Sequence, residues 1–63
     1  MSAAAIYATL RRLAVPVLTT EEAASALRTS PSAASRALRT LAAHGLVRRI
    51  RHGLWAVTPE PLD

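Results

Sequence analysis

The sequence predicts a mainly α-helical domain with a small β-hairpin, and three observations carry that expectation. Two helix start signals, Thr19 with Glu22 and Ser30 with Pro31, follow one another closely. Beyond Gly45 the helical spacing of apolar residues gives way to a short alternating stretch broken at Gly53. A chain of 63 residues, 51% apolar and 19% charged, has room for one domain and enough apolar side chains to pack it. Cysteine is absent, so no disulfide or thiolate zinc site supplements the core, and helix packing must hold the fold. No apolar run approaches the eighteen or so residues that span a bilayer, and the N-terminus lacks a signal-peptide pattern, so a cytoplasmic protein with no membrane partner is expected.

Ser2 is placed to cap a first helix running to about Ala14, with Ala3, Ile6, Leu10 and Leu13 on one face and Tyr7 beside them. Val15 precedes Pro16 and leaves the α region, so residues 17 to 19 are expected to be extended. Thr19 and Glu22 have the spacing of a capping box, in which hydroxyl and carboxylate satisfy each other's backbone donors. A second helix starts there and stops near Arg28, with Ala23, Ala24 and Leu27 on its packing face. Ser30 as N-cap and Pro31 at the first helical position start a third helix, which Gly45 ends after about His44. The hairpin is expected to turn through Arg51, His52 and Gly53, with Ile50 facing Leu54, Arg49 facing Trp55 and Val47 facing Val57. Helix, short strand, helix, helix and hairpin in that order make a winged helix-turn-helix over residues 1–58. Pro59 and Pro61 mark residues 59–63 as a linker, or the start of a connection to a further C-terminal domain.

All eight basic residues are Arg, and between Arg28 and His52 there are six of them and no acid. A basic block of this kind in a folded domain calls for a polyanionic partner. On the third helix, steps of 100° per residue put Ala34, Ala37, Leu38 and Leu41 on one side and Ser32, Ser35, Arg36, Arg39 and Ala43 on the other. One side packs. The other matches a helix lying in a DNA major groove, where Arg donates both fork hydrogen bonds to guanine and Ser bonds bases or phosphate. Ser30 marks a helix start whose free N–H groups attract phosphate, besides capping the helix. Arg48, Arg51 and His52 lie on the hairpin, whose tip would reach a minor groove. The competing reading at each position is an ordinary solvated side chain. Arg49, opposite Trp55, has two readings of its own, a cation–π contact on the indole or a DNA contact. Trp55, with Val47 and Val57, is expected in the core, and His44 at the third helix's end.

No catalytic, metal or cofactor site emerges. The two His are too few for a metal, and no carboxylate is placed to orient either as a base, so the chain is read as a non-enzyme without cofactors.

The segments Leu18-Thr-Thr-Glu-Glu-Ala-Ala, Ser30-Pro-Ser-Ala-Ala-Ser-Arg-Ala-Leu-Arg-Thr-Leu, Gly45-Leu-Val-Arg-Arg and Gly53-Leu-Trp-Ala-Val together resemble the N-terminal winged-helix domain of AbiEi-type antitoxins of type IV toxin–antitoxin (abortive infection) systems. The resemblance covers roughly residues 4 to 58, and its helix-turn-helix part is shared by many bacterial repressors. It implies repression of the protein's own operon by binding double-stranded operator DNA, with inverted repeats as a possible arrangement. A separate C-terminal domain, absent from these 63 residues, would counter a nucleotidyltransferase toxin. Carried over by position, Ser32, Ser35, Arg36 and Arg39 match DNA-facing helix positions, and Arg51 with His52 match the wing tip. The chain departs from the family at Arg28 and Thr29, where the usual turn has Gly and a buried Val. Three alternatives stand beside this reading: a winged-helix docking or dimerisation module, with Ile50 and Leu54 as its apolar patch; the DNA-binding domain of a ligand-sensing repressor of another winged-helix family; and RNA binding through the same basic surface.

Overall fold

Every helix start announced by the sequence is made by the hydrogen bond it implies. In a computed structural model, which describes residues 2–58, the order is α1 (Ala3–Arg12), β1 (Val17–Thr19), α2 (Thr20–Leu27), α3 (Pro31–Ala43), β2 (Val47–Arg51) and β3 (Leu54–Val57). The Ser2 hydroxyl accepts from the Ala5 N–H at 3.2 Å. At α2 the Thr19 hydroxyl accepts from the Glu22 N–H at 3.0 Å while Glu22 Oε1 accepts from the Thr19 N–H at 2.7 Å, which completes the capping box. The Ser30 hydroxyl accepts from the Ala33 N–H at 3.2 Å, and Pro31 takes the first helical position, where its missing N–H costs nothing.

The ends of α2 and α3 share one geometry. At α3, the Gly45 N–H donates to Ala42 at 3.0 Å and the Leu46 N–H to Leu41 at 2.9 Å, with Gly45 left-handed at φ 75. At α2, Arg28 and Thr29 donate to Ser25 and Ala24 at 3.2 and 3.0 Å in the same pattern, and Arg28 itself is left-handed at φ 56. The position where the resembled family has Gly thus keeps a glycine-like backbone, and Thr29 is exposed where that family buries Val. First-helix expectations need correction at one end. The helix stops at Arg12, Ala14 turns left-handed at φ 55, and Leu13 is 40% exposed instead of packed, because the reversal carries the chain away from the core that Leu10 already closes.

The strands form one antiparallel sheet in the order β1-β3-β2, so the expected hairpin is extended by a third strand. Val17, Leu18 and Thr19 pair with Ala56, Trp55 and Leu54. In the hairpin, Val47 pairs with Val57 and Arg49 with Trp55 as the alternation requires, but Arg51, not Ile50, pairs with Leu54. An irregularity between Arg49 and Arg51 takes Ile50 out of the place opposite Leu54 that the expected register gave it, and Gly53 takes the left-handed turn position at φ 78. Ile50 is left 47% exposed.

Three helices and a three-stranded antiparallel sheet thus enclose one core. Leu10, Leu18, Leu38 and Leu41 are its fully buried centre, with Val47, Trp55 and Val57 supplied by the hairpin. Ala23, Ala24 and Ala34, all buried, let α2 and α3 approach closely. Alternation along the strands sets Leu18, Arg49 and Trp55 on the sheet face toward the helices and Arg48, Arg51 and Leu54 on the other. The proposed linker, residues 59–63, lies outside the described residues.

Candidate nucleic-acid interface

The capping of α3 and the register of the hairpin together create a groove. It has a volume of about 360 Å³ and lies between the start of α3 and the hairpin tip, with Thr20, Ser32, Ser35, Arg39, Arg49 and His52 as its polar lining and Pro31, Gly53 and Trp55 completing it. Two hydrogen bonds fix its walls. The Thr20 N–H donates to the Gly53 carbonyl at 3.0 Å, and the Trp55 indole N–H donates to the Thr20 hydroxyl at 2.9 Å. The hairpin tip is therefore tied to the first turn of α2, and the nearly buried indole is satisfied.

Arg49 is held from two sides. Its guanidinium carbon lies 6.0 Å from the centroid of the Trp55 ring, and Nη2 is 3.1 Å from Nδ1 of His52. Guanidinium has no acceptor, so in this contact Arg49 Nη2 donates and His52 Nδ1 accepts. Arg49, Arg39 and the hydroxyls of Ser32 and Ser35 converge on an open space without a carboxylate in its lining. Such a lining favours an anion. It offers no group to orient a His as a base, and among the described residues no three His, Cys, Asp or Glu come together.

Of the residues singled out from the sequence, Ser32, Ser35, Arg39 and His52 line this groove. Ser30 is exposed beside it as the α3 N-cap, and Arg36 is exposed on α3 without lining it. Arg48 and Arg51 are exposed on the opposite face of the sheet, paired with Ala56 and Leu54, and do not join the others. Arg49 and Thr20 were not singled out for the site. Arg49 was legible, since the alternation that put it opposite Trp55 also turns it toward the helices. Thr20 was not, because its role depends on a contact between α2 and the hairpin that no local pattern encodes. His44 is the C-cap residue of α3, away from the groove.

No family model, no curated protein and no solved structure matches the chain. Among the described residues no helix is long and apolar enough to cross a membrane.

Proposed function

We propose that the chain is a winged helix-turn-helix domain that binds double-stranded DNA and acts as a sequence-specific transcriptional repressor. In this reading α2 and α3 are the helix-turn-helix, α3 is the recognition helix and β2–β3 is the wing. The observation that carries it is the outer face of α3, where Ser32 and Arg39 stand exposed along a groove whose other wall is the cationic hairpin, with Arg36 exposed on the same helix outside the groove. With α3 in a major groove, Arg36 and Arg39 reach base edges and the hydroxyls of Ser30, Ser32 and Ser35 reach phosphate or bases. Arg49, held over Trp55 and against His52, is pre-positioned for a backbone phosphate next to α3, since little side-chain freedom remains to be lost on binding. Arg48 and Arg51, on the far face, contact the flanking backbone or minor groove. The sequence resemblance extends this to autoregulation of an antitoxin operon, with a nucleotidyltransferase toxin as the indirect partner.

Fluorescence anisotropy on duplex DNA across a salt series tests the reading. Neutralising four to six phosphates gives a slope of log K against log salt of roughly −4 to −5. A slope near zero, or no binding at low salt, overturns it in favour of protein docking. Tighter binding to single-stranded or A-form RNA than to duplex DNA selects the RNA alternative.

A further inference from the structure

We infer that the free edge of β1 is a self-pairing surface that joins two copies of this chain about a two-fold axis near Val17. This rests on the sheet and not on the DNA reading. The Val57 N–H donates to the Pro16 carbonyl at 2.9 Å and the Thr20 N–H to the Gly53 carbonyl at 3.0 Å. In an antiparallel ladder those bonds flank Val17 and Thr19, so both residues form non-hydrogen-bonded pairs with β3 and point their own N–H and C=O groups outward. Thr19 is already used: its N–H donates to Glu22 and its carbonyl enters α2 as the N-cap. Along β1, Val17 is the residue that keeps both a donor and an acceptor free on the outer edge. One residue with both groups outward is what a two-fold pair needs, because Val17 of each copy can exchange two hydrogen bonds with the other.

The surroundings fit the same occupant. Leu13, Val15 and Val17 are 40%, 41% and 41% exposed, three of the four exposed large apolar side chains among the described residues, and all lie beside this edge. Val15 stands between two shallow depressions, one lined by Leu13, Leu18, Glu22 and Ala26, the other by Arg11 and Pro16. Around a two-fold axis at Val17, the segment before Val17 in one copy runs beside the segment after it in the other. Arg11, beside Pro16, then comes to the side of the axis where the other copy carries Glu22 beside Leu18, and the two-fold repeats the pairing. Opposite charges meet where the apolar side chains do. At the other edge of the sheet, β2 presents Arg48, Arg49 and Arg51, whose repulsion opposes pairing with its own copy, so the assembly closes at two.

Sedimentation velocity over a concentration series, without DNA, measures it. The intact chain is expected to shift from monomer to dimer with rising concentration and to stop there. Val17→Pro deletes the outward donor without touching the ladder to β3 and should weaken association by about ten- to a hundredfold. Val15→Lys places a cation in the apolar contact and should do the same. Circular dichroism and Trp55 fluorescence establish that both variants remain folded; if Val17→Pro does not fold, Val15→Lys decides. A chain that stays monomeric to high micromolar concentration, an assembly larger than two, or folded variants that dimerise like the parent would each overturn the inference.

Discussion

Three residues end helices in the left-handed region, and only one of them is glycine: Ala14 at φ 55, Arg28 at φ 56 and Gly45 at φ 75. The hydrogen bonds after α2 and α3 are equivalent, so Arg28 and Gly45 form a natural comparison of side chain at fixed backbone. An L-residue held there carries about 1–2 kcal/mol of strain, which glycine relieves at the cost of a looser unfolded chain. Arg28→Gly should therefore raise stability by about 0.5–1 kcal/mol, or roughly 2–8 °C in melting midpoint. In the other direction, a Cβ added at Gly45 meets nothing within 4 Å, so Gly45→Ala should lose about 1 kcal/mol from backbone strain alone. Thermal melts of the two variants check both signs. A fall in midpoint for Arg28→Gly would mean that the arginine side chain contributes more than its backbone costs.

At the scale of elements, α3 has two faces with different duties. Leu38 is fully buried, so Leu38→Ala should cost about 2–5 kcal/mol, a large part of what a small domain has, and circular dichroism melts measure it. Arg36→Ala and Arg39→Ala should leave the melt almost unchanged yet weaken binding to a specific site by about 1–3 kcal/mol, and random DNA less. Equal losses on both DNAs would make them phosphate contacts. The hairpin gives a similar contrast. Arg49→Ala should loosen the packing over Trp55 and reduce binding to all duplexes alike, whereas Arg51→Ala should spare the fold and lose most on sites with A·T-rich flanks, where the minor groove is narrow. Anisotropy on two duplexes differing only in their flanks separates these outcomes. The elements themselves were largely legible, because caps, Pro31 and Gly45 act within a few residues of where they stand. The pairing of β1 with β3 was not, since three residues carry too little alternation to announce a partner far away in sequence. Ile50 was misplaced by one position for a related reason: a bulge shifts the register without changing the residue types around it. The site followed the same division, with α3's exposed face readable from its period and the tie between Thr20 and the hairpin invisible until the fold was closed.

For the whole molecule, the decisive quantity is the charge that folding concentrates. The formal net charge is +4, and the acids nearest the basic block, Glu21 and Glu22, lie at the start of α2 on the near side of Arg28, with Glu22 already engaged in its capping box. Six Arg gathered from residues 28 to 51 repel one another in the native state more than in an extended chain, so screening should stabilise the free protein. Its melting midpoint is expected to rise with added salt. A duplex that binds only the folded form acts in the opposite way along the salt axis. At a free concentration of about a hundred times its Kd it adds roughly 2.7 kcal/mol, which for a domain of this size corresponds to about 10–20 °C. That increment should be largest at low salt and fade as salt weakens binding, so with rising salt the midpoint without duplex climbs and the midpoint with duplex descends toward it. Differential scanning calorimetry across a salt series measures both together. Stabilisation by duplex that persisted unchanged at high salt would point to a contact that is not made with phosphate, and no stabilisation at low salt would leave the basic face of α3 and the hairpin without the polyanion its charge calls for.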